Sequence, residues 1–324
     1  MPHTLPTGDQ SRFHDEGYLV IPGVLSEADL APVKAEYAQA LDAAAERLLG
    51  QGLIKETWPD LPFGERYTQI ASVCPSVFNL LDISLPVVDA MPPDATMHAG
   101  PGVFGLLTHS AVLDIVEDVL GPKITSNPTQ HLRLKPPARR LGIDSPGGAT
   151  SWHQDLAGLL DEALDSDILT VWIGLTETTV ENGCLTVIPR SQRLHGHNLT
   201  RHVIDGPGGA NYIPDDELAP GPITPLPVPR GSVILLHKLT HHGSLPNHSD
   251  ALRMSLDLRY QPTGEPTGRP AFPGFAVRST SAPETVVKDA VTWSHSWQDC
   301  LETILRDEHP KPLFETARWT GESA

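Results

Sequence analysis

Ser151-Trp152-His153-Gln154-Asp155 sets an imidazole and a carboxylate two residues apart. Residues i and i+2 of a strand share a face, so His153 and Asp155 can reach one metal ion. A second His-rich stretch, LLHKLTHHGS at 235–244, follows much later and offers His237, His241 and His242. One of these, at the mouth of a barrel between two strands, would complete a two-His, one-carboxylate facial triad. Such a triad leaves three cis positions open, as non-haem Fe(II) oxygenases require for a co-substrate and O2. An isolated His-x-Asp is common, so the reading depends on what surrounds it.

Those surroundings are rich in strands. ITSNPTQHLRLKPP, DILTVWIGLTET, GCLTVIP, GSVILLH and LRMSLDLRYQ are short, rich in β-formers and separated by Gly, Pro and Asn. Their succession predicts an antiparallel barrel or sandwich. In 169–196, Glu181-Asn182-Gly183 lies between two β-rich runs, a strong hairpin signal. That hairpin would put Trp172 one strand from the His-x-Asp segment. In ALRMSLDLRYQ, alternation places Arg253, Ser255, Asp257 and Arg259 on one face and Met254, Leu256 and Leu258 on the other. A charge on an interior face needs a partner, and a guanidinium can grip a carboxylate through two parallel hydrogen bonds.

Helices flank this region. YLVI at 18–21 reads as a strand behind a short helix. Ser26 and Asp29 form a capping-box pattern ahead of a helix with Leu30, Val33, Tyr37, Leu41 and Ala44 at helical spacing. Residues 108–120 form another helix, stopped at Gly121-Pro122, and 289–308 a closing one. The expected organisation is a single unit: 1–123 mostly helical, 124–262 the β core, 263–324 a C-terminal extension with a helix. Residues 50–105, which hold Trp58, Phe63, Arg66, Tyr67 and Phe78, and the Pro/Gly-rich loop 205–230 are expected to cover the site and select the substrate.

Bulk numbers bound the remaining possibilities. The hydrophobic fraction of 39% supports a folded core, and acidic residues exceed basic ones, 40 against 23. A net charge of −17 makes nucleic acid an unfavourable partner. No apolar run approaches the roughly 20 residues a membrane helix needs, and the N-terminal stretch has no signal-peptide pattern. A cytoplasmic protein acting on a small molecule is the expectation. Cys74, Cys184 and Cys300 form neither a metal knuckle nor a disulfide framework.

The order KPP, HQD, VWIGL, ENGCLTVIPRS, GSVILLH, HHGSLPN and then Arg253 resembles the phytanoyl-CoA dioxygenase family, as does the opening FHDEGYLVIPGVLSEADL. The resemblance covers about residues 12–35 and 124–262. It implies a double-stranded β-helix, a jelly-roll or cupin-like core with flanking helices. It implies Fe(II) as cofactor, 2-oxoglutarate as co-substrate and O2 as oxidant. By it the metal ligands are His153, Asp155 and His242, since the liganding His directly precedes Gly-Ser. Arg253 would hold the distal carboxylate of 2-oxoglutarate, helped by Ser244. Trp172 would line the pocket, and His131 would be an inward-facing co-substrate contact. The family's PGSH turn is PRSQ here, at 189–192.

The implied activity is hydroxylation of an unactivated C–H bond, with 2-oxoglutarate converted to succinate and CO2. Related halogenases carry Gly or Ala where Asp155 stands, so the carboxylate favours hydroxylation, desaturation or ring closure over halogenation. A small metabolite of specialised biosynthesis is the expected substrate. A CoA thioester is disfavoured, because no basic patch awaits its phosphates. Two other readings stay open: a zinc or manganese hydrolase or isomerase on a cupin-like barrel, and a non-catalytic β-barrel binding protein.

Overall fold

The computed structural model describes residues 4–88, 90–141, 148–196, 198–204 and 211–307. Part of the 205–230 loop and the end of the C-terminal extension therefore lie outside the described residues.

The chain opens with α1 (Thr7–Glu16), β1 (Tyr18–Ile21) and α2 (Glu27–Gly50). Both arms of the capping box close: the Asp29 N–H donates to the Ser26 hydroxyl, and the Ser26 N–H donates to the Asp29 carboxylate. The buried face of α2 carries Leu30, Val33, Tyr37, Leu41 and Ala44, as the spacing predicts. Residues 50–105 form three short helices, α3 (Phe63–Val73), α4 (Val77–Leu81) and α5 (Pro101–Leu107), and α6 (Ser110–Leu120) follows.

The β region then runs β2 (Lys123–Ser126), β3 (His131–Lys135), a short α7 (Ala138–Leu141), β4 (Thr150–His153), β5 (Leu169–Gly174) and β6 (Leu185–Val187). It continues with β7 (Val203–Ile204), β8 (Asn211–Tyr212), β9 (Thr224–Leu226), β10 (Val233–His237), β11 (His242–Ser244), β12 (Arg253–Pro262) and β13 (Phe275–Ser279), and α8 (Ala290–Arg306) closes the described chain.

Two antiparallel sheets face each other. The larger has the order β1-β10-β5-β12-β2-β13 with β3 also on β12, and the smaller is β4-β11-β6-β9. The larger sheet separates two cores. Its outer face, including Leu132, Val171, Leu235 and Leu256, joins the helices in the main core. Its inner face gives Trp172, Ile234 and Leu236 to a smaller core shared with Leu185, Val187 and Leu226 of the facing sheet. This is the expected jelly-roll core with flanking helices.

Three local expectations need correction. The Asn182-Gly183 turn forms, with Gly183 at φ 88°, but β5 and β6 do not pair: β5 lies between β10 and β12, while β6 lies between β11 and β9. The connection crosses from one sheet to the other, so Trp172 lies on the sheet opposite His153, in the smaller core, instead of one strand away. ITSNPTQHLRLK splits into β2 and β3 around Asn127-Pro128, because proline has no N–H for the ladder. Asp155 is not on the strand: β4 ends at His153, and Asp155 starts a 3-10 turn, Asp155–Gly158. Gln154 stays extended at φ −113°, ψ 134°, so the two-residue parity survives the change.

Gly231 leads into β10 at φ 77°, and a Cβ there would lie 2.0 Å from the Leu25 carbonyl oxygen. Gly231→Ala is expected to lower unfolding free energy by about 3 kcal/mol, from backbone strain plus steric displacement. A urea midpoint equal to wild type would contradict this register.

Candidate active site

β11 and β4 pair with His242 directly opposite His153, so the two imidazoles stand side by side with ring centroids 4.2 Å apart. His153 Nδ1 lies 2.9 Å from the Ser151 carbonyl and His242 Nδ1 lies 3.0 Å from the Thr240 carbonyl. A carbonyl only accepts, so Nδ1 carries a proton on each ring and Nε2 is the atom free to ligate. Both Nε2 atoms face Asp155 Oδ1, at 3.7 and 3.8 Å. One ligand atom from each of the three residues fits within a 4.8 Å span.

Charge settles the ionisation at this cluster. Burial alone would raise the Asp155 pKa, but the Arg259 guanidinium and the two imidazoles reverse that effect and hold it well below the usual carboxylate range. Burial, reinforced by His153, brings His242 down to about 4, so its ring is neutral at physiological pH. The two Nε2 atoms and the Asp155 carboxylate converge closely enough to share one cation. Two imidazoles and one carboxylate are the donor set of a ferrous facial triad, so these residues fit the metal that the sequence implies.

His241 and His237, the alternative third ligands, are placed elsewhere. His241 is fully buried, accepts the Ala219 N–H at Nδ1 and bonds Thr200 through Nε2. His237 ends β10 and accepts the Leu239 N–H. The PRSQ turn also has a structural purpose: Gln192 Nε2 donates to the His14 and Asp15 carbonyls, tying the turn to α1.

The inner face of β12 carries Arg253, Ser255, Asp257 and Arg259, as alternation predicts. Opposite them on β3 stand Lys135 facing Arg253, Arg133 facing Ser255 and His131 facing Asp257. Arg253 is fully buried, donates to the Ser255 hydroxyl and the Gly183 carbonyl, and sits 5.7 Å from the Trp172 ring centroid. Its Nε is buried with no hydrogen-bond partner. Lys135 Nζ donates to the Ser244 hydroxyl and the Leu245 carbonyl, both at 2.6 Å. Among the described residues neither cation is paired with a carboxylate. Burial and the Arg253 charge bring the Lys135 pKa down to about 6, and burial with Arg133 brings Arg253 down to about 10.

Arg253 is a buried charge without an anion, which is expensive, and Lys135 beside it is a buried amine whose protonation that charge opposes, so a carboxylate placed between them would relieve both. Ser244 bonds Lys135 and Trp172 lies against Arg253, while His131 is held elsewhere. His131 Nδ1 lies 2.8 Å from Asp82 Oδ2, at the other end of β3. The residues that the sequence reading passed over are Lys135 and Gly183. A Cβ on Gly183 would lie 2.6 Å from both Lys135 Cδ and the Leu245 carbonyl oxygen, and its carbonyl accepts from Arg253, so the Asn-Gly dipeptide does more than turn the chain: it lets backbone pack against both basic side chains.

Of the aromatic residues of 50–105, Trp58, Phe63 and Tyr67 belong to packing, while Phe78 on α4 is half-buried. Tyr67 is in the main core, and Trp58 and Phe63 pack against it. Arg66 donates to the Thr57 carbonyl and pairs with Asp42. The segment meets the inner face instead through Asp82. Past the undescribed part of the 205–230 loop, Ile213 N–H donates to the Trp152 carbonyl and Asn211 Nδ2 to the Ala157 carbonyl, so the loop packs on the chain that carries His153 and Asp155. No helix among the described residues is long and apolar enough to cross a membrane.

Comparison with known proteins agrees with this geometry. A Mus musculus phytanoyl-CoA dioxygenase domain-containing protein 1 is 33% identical over 164 residues, covering 49% of this chain and 53% of that protein. The chain thus aligns with about half the length of that relative. A Streptomyces arenae 1-deoxypentalenic acid 11-beta-hydroxylase is 27% identical over 269 residues, 79% of this chain and 82% of the relative. Among solved structures, the non-heme monooxygenase ThoJ superposes with a TM-score of 0.54 at 20% identity, covering 91% of this chain and 97% of ThoJ, a likeness of fold. The pattern of the Phytanoyl-CoA dioxygenase (PhyH) family matches residues 87–255, a span holding the triad, Lys135, Trp172, Ser244 and Arg253, and the chain belongs to that family.

Proposed function

We propose that this protein is an Fe(II)/2-oxoglutarate-dependent dioxygenase that hydroxylates an unactivated C–H bond of a small specialised metabolite. The single observation carrying this reading is the pairing of two features on one interior: a two-His, one-carboxylate cluster, and on the same interior a buried Arg253 beside a buried Lys135, neither with a carboxylate partner among the described residues. His153, Asp155 and His242 would hold the metal. Bound there with 2-oxoglutarate and O2, it supplies an oxidant able to take hydrogen from carbon, with release of succinate and CO2.

The protein's own groups bind, orient and shield. Arg253 and Lys135 would neutralise the distal carboxylate of 2-oxoglutarate. Ser244 holds Lys135 in place while its own hydroxyl donates to Thr150, and Trp172 closes the pocket wall. Asp82 and the 205–230 loop bring the segments proposed to choose the substrate up to the site. A zinc hydrolase or isomerase has no use for a buried anion pocket beside its metal, and a binding module has no use for the converging lone pairs. The hydroxylase name of the Streptomyces arenae relative supports hydroxylation as the outcome.

The direct test is succinate release from 2-oxoglutarate, dependent on Fe(II) and ascorbate, by the purified protein. Asp155→Ala should abolish it, since one ligand and one charge are lost together. Turnover without added iron, or unaffected by Asp155→Ala, would overturn the proposal. Arg253→Ala should raise the 2-oxoglutarate requirement roughly 10- to 150-fold, the value of a charge-assisted hydrogen bond at about 1.5–3 kcal/mol. An unchanged requirement would remove Arg253 from the pocket.

Lys135 makes co-substrate binding pH-dependent. With its pKa at about 6, it is largely neutral above that pH in the ligand-free protein, and a carboxylate against Nζ favours the protonated form. Binding therefore takes up a proton, and 2-oxoglutarate affinity should fall by up to about tenfold per pH unit as pH rises from about 6.5 to 8. Calorimetry in two buffers of different ionisation enthalpy should register this uptake, and Lys135→Met should lose it. A flat profile in wild type would count against Lys135 as a ligand for the anion.

A further inference from the structure

Asp155 is bound by more than the cluster it completes. Its Oδ1, the oxygen that faces both imidazoles, accepts from Arg259 Nη2 at 2.5 Å. Its Oδ2 accepts from the Thr170 hydroxyl. Arg259 and Thr170 are cross-strand partners on β12 and β5, so both point inward at the same level. All three side chains are buried. The donors come from the larger sheet and the carboxylate from the turn after β4, so the contact also ties the two sheets together.

A carboxylate that swings freely can offer a metal one oxygen or two. Here each oxygen is already committed to a fixed donor, and the pair of donors sets the plane of the group. Only Oδ1 keeps a lone pair on the side of His153 and His242. The number matters because six positions must serve three protein ligands, two oxygens of a chelating keto acid and O2. A second oxygen from Asp155 would take one of them.

We propose that Thr170 and Arg259 are positioning residues that restrict Asp155 to one metal-facing oxygen and so reserve a coordination position for 2-oxoglutarate. The inference rests on the function proposed above and adds to it. It differs from an ordinary orienting role, whose loss typically weakens metal affinity by about 10- to 100-fold. Freed from Thr170, Oδ2 can join the metal, so metal binding should hold while the keto acid is displaced.

The test uses Thr170→Val, which keeps shape and leaves Arg259 in place, with Thr170→Ser as the variant that restores the hydroxyl. Calorimetry under anaerobic conditions first measures Ni(II) binding, then 2-oxoglutarate binding to the Ni(II)-loaded protein. Thr170→Val should bind Ni(II) within about threefold of wild type or more tightly, and 2-oxoglutarate at least about tenfold more weakly, a loss of the size that removing one hydrogen bond to a charged group produces. Thr170→Ser should return both values to those of wild type. Wild-type 2-oxoglutarate affinity in Thr170→Val, or weakened Ni(II) binding as the main effect, would overturn the inference. If Thr170→Val is recovered unfolded, Thr170→Ala carries the same expectations. Failure of wild type itself to bind Ni(II) and 2-oxoglutarate would instead sink the proposed function.

Discussion

The inward face of β12 sets the constraint that the rest of the interior answers. It delivers two guanidinium groups and a carboxylate into the space between two sheets, where an uncompensated charge is costly. Arg259 is compensated: burial works against its charge, but Asp155 and Asp257 more than restore it. Asp257 also pairs with Arg133. Arg253 has no carboxylate partner among the described residues, and burial together with its charge holds the neighbouring Lys135 amine well below the usual lysine range. The balanced end of the strand holds Asp155, and the other end is where the proposed co-substrate would bind. One strand thereby fixes where a metal and a dicarboxylate would lie relative to each other.

The two sheets divide the labour. The smaller sheet and the turn beyond β4 contribute His153, Asp155 and His242, and the pairing of β11 with β4 sets the two imidazoles at contact distance. The larger sheet contributes the groups that hold the carboxylate ligand and those that would hold the co-substrate. Its other face is sealed by the helices of the main core, with α2 fixed at its start by the Ser26 box. Rigidity behind the site thus comes from apolar packing, and polarity is confined to the face that needs it.

Much of this was legible in the chain. Period-two alternation in ALRMSLDLRYQ identified the interior face without any structure, because one face of the strand is apolar and the other charged. The His-x-Asp pair survived even though Asp155 left the strand, since Gln154 stayed extended. Pairing of strands was not legible: Asn182-Gly183 makes the expected local turn, yet which sheet receives the next strand is a long-range choice that turn chemistry does not encode. Lys135 escaped for a related reason. Its proximity to Arg253 is a matter of register between β3 and β12, and the same register places His131 opposite Asp257, where Asp82 binds it. The tie between Thr170, Arg259 and Asp155 joins three distant stretches and carries no local signature.

The claim on which the account stands is that one ferrous ion and one molecule of 2-oxoglutarate share this interior. Titrating the apoprotein anaerobically with Fe(II) and then 2-oxoglutarate, while following visible absorption, tests it most directly. The account expects a weak charge-transfer band that saturates at one equivalent of each and is absent in His242→Ala. Fe(II) bound tightly with no band at saturating 2-oxoglutarate, or a band that persists in His242→Ala, would contradict it.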